Sequence, residues 1–159
     1  MLKAFILCLT IVVSSECISQ GFINTNKKVA KRYLRGYITN KNIKTLTTET
    51  DTTIVFLVRD TSVQNLDLIL YFDKDGKCVK EERKLTCDSC LKKIFAQTLS
   101  YRNYKWMQIN DTGYISKFSK KLLLKKNKEP EYSFTIQKFS MTRREYKDLL
   151  QKNKLNQKK

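Results

Sequence analysis

The sequence predicts an α+β domain: an antiparallel meander of strands packed with two to three helices, arranged as two similar helix-plus-meander halves. Three observations carry that expectation. In residues 66–73 (LDLILYFD), Leu66, Leu68, Leu70 and Phe72 alternate with Asp67, Ile69, Tyr71 and Asp73, and the run leads into Asp75-Gly76, a hairpin signal. Residues 131–139 (EYSFTIQKF) alternate again, with Tyr132, Phe134 and Ile136 on the inner side. Residues 26–38 and 91–99 instead space their apolar groups as helices do. No residue-level repeat accompanies the two-half plan.

The chain has 159 residues, material for one domain. Met1-Leu2-Lys3 is a short positive start, and residues 4–13 (AFILCLTIVV) form an apolar run broken only by Thr10. Small and polar residues follow. This layout predicts a signal peptide over residues 1–19, cut after Ser19, and a secreted or periplasmic protein. The apolar run is shorter than the ~20 helical residues that span a bilayer. An uncleaved N-terminal anchor is the alternative. Glu16 argues against a lipid-modified Cys17, because such cleavage sites want a small residue there. No later stretch reaches membrane-spanning length. The expected domain covers residues 20–150, and residues 151–159 form a basic tail expected to be disordered, with little to bury.

Within the domain, residues 26–38 (NKKVAKRYLRGYI) predict a helix whose inner face carries Val29, Tyr33, Leu34, Tyr37 and Ile38, with Lys and Arg opposite. Residues 45–53 are threonine-rich and read as strand or turn. Residues 53–59 (TIVFLVR) are a nearly continuous apolar run and the best candidate for a central strand. Residues 78–85 (CVKEERKL) return from the Asp75-Gly76 turn, and their polarity predicts an edge strand or a half-exposed face. Leu91, Ile94, Phe95 and Leu99 make a helical stripe, with Asp88 or Ser89 as its N-cap. Residues 104–109 and 114–118 read as strands around an Asn110-Asp111-Thr112-Gly113 turn. Leu122-Leu123-Leu124 is a short core segment, Pro130 a boundary, and residues 141–150 a helix capped by Ser140.

The net charge is +17, and removing residues 1–19 leaves it unchanged because Lys3 and Glu16 go together. Such a balance favours anionic partners. Most of the charge is lysine; arginine stands only at Arg32, Arg35, Arg59, Arg83, Arg102, Arg143 and Arg144, and alanine only at Ala4, Ala30 and Ala96. An AT-rich coding sequence gives the same bias, so a merely solubilising surface is the competing account. The densest positive stretch outside the tail is Lys117, Lys120, Lys121, Lys125, Lys126 and Lys128. As a patch it would attract phosphates or sulfates, with affinity falling steeply as salt rises. No nucleic-acid signature accompanies it. The expected partner is an anionic envelope component or a protein not yet identified, with no dedicated nucleic acid.

The chain has no histidine. That removes the commonest general base, the usual serine and cysteine triads and most catalytic zinc sites. No metal or other cofactor is expected. Asp73-x-Asp75-Gly76 opens like a calcium loop, but Lys77 stands where a third oxygen ligand is needed, so a hairpin turn is the better reading. Glu81 and Glu82 are strand neighbours that point to opposite faces and cannot act as a pair. Trp106, with Tyr101, Tyr104 and Tyr114, either lines a pocket or, more commonly for such spacing, fills a core. Asn110-Asp111-Thr112 fits the N-glycosylation pattern of a eukaryotic secretory path.

Beyond the expected signal peptide three cysteines remain: Cys78, Cys87 and Cys90. Export favours disulfides. If residues 78–85 are extended, Cys78 and Cys87 lie ~25–30 Å apart at ~3.3 Å per residue, whereas a disulfide needs Cα atoms within about 7 Å. Cys87 and Cys90 can close within one turn at a helix start, leaving Cys78 as an odd thiol, buried or shared with a second chain. The same helix-start position favours a thiolate, so Cys87 and Cys90 are also the candidates for thiol–disulfide exchange. The charged run KEERKLT before the motif departs from the apolar strand of thioredoxin-like proteins. Two functions follow from the residues: a non-enzymatic exported binding or envelope-associated module, or a small thiol–disulfide exchange protein.

Overall fold

The computed structural model describes residues 21–36, 43–60, 65–127 and 132–156. The expected signal segment, Tyr37, Ile38, Lys128 and Pro130 lie outside the described residues. In chain order the elements are α1 (Lys27–Gly36), β1 (Ile43–Glu49), β2 (Thr53–Asp60), β3 (Leu66–Phe72), β4 (Cys78–Leu85), α2 (Asp88–Leu99), β5 (Met107–Gln108), β6 (Gly113–Ile115), β7 (Leu122–Lys126), β8 (Ser133–Lys138) and α3 (Arg143–Asn156). The eight strands form one sheet in the order β1-β2-β3-β4-β8-β7-β6-β5, with every neighbouring pair antiparallel. Two four-strand meanders, each preceded by a helix, therefore meet at β4 and β8. The α+β class, the meander and the three helices are as the sequence predicts.

Strand alternation makes the core. Leu66, Leu68, Leu70 and Phe72 of β3 are buried on one face, and the register sets Val58, Phe56 and Ile54 of β2 opposite the first three. Ala30 and Leu34 of α1 and Cys90 and Leu91 of α2 join the same buried cluster, so both helices cover this face. Each fully buried aliphatic side chain there contributes roughly 1.5–3 kcal/mol of transfer free energy. The run TIVFLVR lies inside the sheet, yet only Ile54, Phe56 and Val58 are buried. Val55 and Leu57 are half-buried on the face away from those helices.

Between β3 and β4, Gly76 N–H donates to Asp73 O at 2.9 Å, and Asp73 Oδ1 accepts from Asp75 N–H (3.0 Å) and Lys77 N–H (2.8 Å). Gly76 takes the left-handed conformation, φ +68°. The connection is thus a three-residue loop closed by a left-handed glycine rather than a two-residue turn. The Asp73 carboxylate is engaged with backbone, as the hairpin reading requires.

Several local expectations are corrected. β4 is not an edge strand; it lies between β3 and β8 in the middle of the sheet. The inner face of α1 is Ala30 and Leu34, while Val29 and Tyr33 are 38% and 51% exposed. Ala30 lets the helix approach the sheet closely, which the larger side chains would prevent. Tyr104–Ile109 shortens to the two residues of β5, because Lys105 takes φ +48° and breaks the extended chain. Tyr132 precedes β8 and is exposed, leaving Phe134 and Ile136 as its inward residues. α3 starts after Thr142, not Ser140, through a capping box. Thr142 N–H donates to Glu145 Oε2 (2.7 Å) and Glu145 N–H donates to Thr142 Oγ1 (3.3 Å). It runs on to Asn156, beyond the expected end at Leu150, because the added residues include no glycine or proline and good helix formers predominate. Tyr146 anchors it: the hydroxyl donates to Ser116 O at 3.0 Å, and the ring packs against Phe118 and Phe139.

Candidate functional site

At the start of α2 the sequence motif becomes a closed staple. Cys87 and Cys90 form a disulfide with Cα atoms 5.2 Å apart. Cys87 itself is the N-cap, in extended conformation, and its Sγ accepts from Cys90 N–H at 3.1 Å. The cap is therefore neither Asp88 nor Ser89. Asp88 lies in the first turn, where a carboxylate suits the helix dipole, and pairs with Lys92 at 2.6 Å. Cys90 is buried and Cys87 half-buried. The strand leading into the motif has antiparallel neighbours on both sides, so the parallel βαβ setting of thioredoxin-like sites is absent around it. Cys78 stands at the far end of extended β4, buried and unbridged. Burial, then the nearby Glu81 charge, pushes its thiol up to about 12, which makes it a poor nucleophile.

The charged residues of β4 divide by face. Lys80, Glu82 and Lys84 lie on the face away from α1 and α2, where Glu82 accepts from Tyr71 Oη (3.3 Å) and pairs with Lys80 (3.5 Å) and Lys84 (3.4 Å). Glu81 and Arg83 point inward and are fully buried. Arg83 Nε donates to Glu81 Oε1 at 2.5 Å, and the guanidinium lies over the Phe134 ring, 5.6 Å from its centre. Glu81 Oε2 accepts from Phe22 N–H at 2.7 Å. That amide belongs to a strap, residues 21–26, which bonds the β3–β4 hairpin through Asn24 N–H to Cys78 O (2.8 Å) and Cys78 N–H to Thr25 O (2.9 Å). Gly21 has φ +74°, and a Cβ there would sit 3.2 Å from Glu81 Oε2. The two glutamates are thus separated by the sheet. Glu81 and Arg83 form a buried ion pair, with the strap amide of Phe22 as a further donor to Glu81.

The aromatic group is core. Tyr104, Trp106 and Tyr114 pack against the buried cluster, and Trp106 Nε1 donates to Thr98 O at 3.0 Å. Burial is the main cause that raises the Tyr104 hydroxyl to about 12. Asn110 is exposed in its turn, and its Oδ1 accepts from Thr112 N–H at 3.1 Å.

Of the lysine-rich segment, Lys128 lies outside the described residues, and the other five are divided between a loop and a strand end. Lys117, Lys120 and Lys121 lie in the loop between β6 and β7, where Lys121 Nζ stands 5.3 Å from the Phe118 ring centre. Lys125 and Lys126 lie at the end of β7 and, as strand neighbours, point to opposite faces.

A denser positive site is built by α1 and the end of β1. Asn26 caps α1, its Oδ1 accepting from Lys28 N–H at 2.9 Å. With Ala30 and Leu34 turned inward, the helical period places Lys28, Arg32 and Arg35 (i, i+4, i+7) along the outer face. Pairing of β1 with β2, which sets Glu49 opposite Ile54, brings the Glu49 carboxylate beneath this helix. It pairs with Lys27 at 3.0 Å and Lys31 at 2.6 Å. Lys31 first, then Lys27, holds the Glu49 carboxyl below the usual carboxylate range. Lys27 is further tied by donating to Thr50 O (2.5 Å) and Asp51 O (3.1 Å).

Between helix and strand lies an open cleft of about 640 Å³ lined by Asn26, Lys27, Lys28, Lys31, Arg32, Arg35 and Glu49. Five cations against one carboxylate leave a net of four positive charges. Among the described residues Lys28, Arg32 and Arg35 pair with no carboxylate. A smaller depression of about 290 Å³ lies on α3, lined by Arg143, Arg144, Lys147 and Asp148. The sequence places Lys and Arg opposite the apolar face of α1 but does not single them out as a site. The i, i+4, i+7 spacing was the available signal; the placement of Glu49 was not legible.

Among the described residues no group of three or more His, Cys, Asp or Glu is placed to hold a metal ion, and no helix is long and apolar enough to cross a membrane. Comparison of the chain with family models, with curated proteins and with solved structures finds no match.

Proposed function

We propose that the protein is an exported, non-enzymatic binding module whose α1–β1 cleft takes a phosphate- or sulfate-bearing component of the cell envelope. The observation that carries this reading is the cleft: five cations converge on one open site, and three of them have no carboxylate partner among the described residues. Two of those three are arginines, whose planar forks suit oxyanions better than lysine does. The net charge of +17 adds long-range attraction. The signal-peptide layout of residues 1–19 supports export.

A heparin-derived sulfated hexasaccharide serves as probe. The wild-type protein is expected to bind it with an affinity that falls steeply with salt, and Arg32→Ala with Arg35→Ala to weaken binding while leaving the thermal midpoint unchanged. Binding that ignores both arginines and is already lost on a modest addition of salt reduces the charge to a solubilising surface.

One observation favours a second reading. Cys87 caps α2, so a thiolate there would face the free N–H groups of the first turn. In the reduced protein, Cys87 would attack a substrate disulfide, form the mixed disulfide and release one substrate thiolate. Cys90 would then attack Cys87 Sγ, re-forming the Cys87–Cys90 bond and releasing the second thiolate. Insulin reduction supported by dithiothreitol tests this reading; no rate above the uncatalysed reaction removes it.

A further inference from the structure

We infer that Glu49 is a resident counter-ion of the α1–β1 cleft, which withholds Lys31 from an entering oxyanion and so sets the strength of the site. The inference rests on the anion-binding reading above and concerns its regulation. Glu49 is fixed to the sheet by its place in β1, so its carboxylate is held where Lys27 and Lys31 both reach it. The two lysines are not equivalent. Lys27 is tied by Glu49 and two backbone carbonyls and has a side chain only 20% exposed. It belongs to the scaffold that fastens α1 to the β1–β2 turn. Lys31 has Glu49 as its ion-pair partner, and its side chain is 37% exposed toward the cleft. It is the cation that can exchange partners.

An oxyanion entering the cleft meets Lys28, Arg32 and Arg35 directly. To use Lys31 as well it must outcompete a carboxylate that is already in place and costs nothing to bring there. Exposed pairs of this kind are weak, so the competition is close and removing Glu49 shifts it only by a small factor. Glu49 also places a negative charge beside the entering anion, which penalises every ligand by repulsion. Removing that charge should both lower the repulsion and release Lys31.

The test is a double-mutant cycle with the sulfated hexasaccharide, read by isothermal calorimetry over a salt series. Glu49→Gln keeps the shape and is expected to tighten binding roughly two- to fivefold. The slope of log affinity against log salt should steepen by roughly one unit, for one more engaged cation. Lys31→Met in the wild-type background should cost less than about twofold, and in the Glu49→Gln background should remove most of the gain and the added unit of salt slope, leaving only the relief of repulsion. A gain in Glu49→Gln that survives Lys31→Met in full overturns the partner exchange. Unchanged or weaker binding by Glu49→Gln, while Arg32→Ala still weakens the wild type, overturns the inference and leaves the anion site standing. No binding by either protein overturns both.

Discussion

The two halves of the molecule share a plan and differ in what holds them. The first, α1 with β1–β4, has strands of 7, 8, 7 and 8 residues; the second, α2 with β5–β8, has strands of 2, 3, 5 and 6. Long ladders make the first sheet half self-sufficient. Its helix can be attached by Ala30, Leu34 and the Lys27–Glu49 pair, leaving a wide charged outer face. Short ladders leave the second half with fewer backbone bonds. There α2 brings its own anchors: Phe95 packs edge-on against Tyr114 and Phe134, Trp106 bonds back to Thr98, and the disulfide pins the first turn. The half with regular strands can present a binding surface, and the half with irregular strands consumes its large side chains in holding together.

The largest test of this division is at the seam. Glu81 lies on β4, pairs across the sheet with Ile136 of β8, and also receives the strap amide of Phe22. Glu81→Ala leaves the Arg83 charge buried without its carboxylate and is expected to cost about 3–5 kcal/mol. Replacing both residues with apolar ones of similar volume should restore most of that. Hydrogen exchange in Glu81→Ala should show protection lost on both sides of the seam. Loss confined to the first half would mean that the halves are more independent than a shared β4–β8 ladder implies.

The staple comes next. A disulfide closing so short a loop is worth roughly 2 kcal/mol by the chain-entropy account. Replacing Cys87 and Cys90 together with serine should lower the unfolding free energy by about that amount, with Ser at the cap position limiting the loss. Exchange should quicken in α2 and β5–β6 and stay unchanged in β1–β3. Equal quickening in β1–β3 would break the comparison, because it would make the staple a property of the whole sheet.

The sequence was legible where one face decides the pattern. β3 alternates cleanly, Asp75-Gly76 marks its turn, α2 shows its stripe, and the local spacing of Cys87 and Cys90 suffices to pair them. It was not legible where a polar residue is neutralised by something distant in the chain. Residues 78–85 read as an edge or a half-exposed face because Glu81 and Arg83 look solvated, yet the two pair with each other inside the fold and the strap amide adds a further bond to Glu81. The inner face of α1 is not legible because close packing selects Ala30, the least conspicuous apolar residue. The basic cleft is hidden from the sequence for the same reason as β4: Lys27 and Lys31 acquire Glu49 only once β1 folds back beneath the helix.

The smallest effect concerns α3, which follows β8 as α2 follows β4. α2 is entered through a covalent staple; α3 is entered through hydrogen bonds alone. The backbone N–H of Thr142, then its hydroxyl, holds the Glu145 carboxyl below the usual carboxylate range, and the Thr142 hydroxyl in turn accepts from Glu145 N–H. Thr142→Ala removes the hydroxyl side of this box and should cost about 1 kcal/mol. Because Tyr146 still bonds Ser116 O, the helix should remain docked and only its first turn should fray. Exchange of the amides at 143–146 reports that fraying directly. If α3 instead loses protection along its whole length, Tyr146 is a weaker anchor than its burial indicates, and the second half depends on its caps as strongly as on its disulfide.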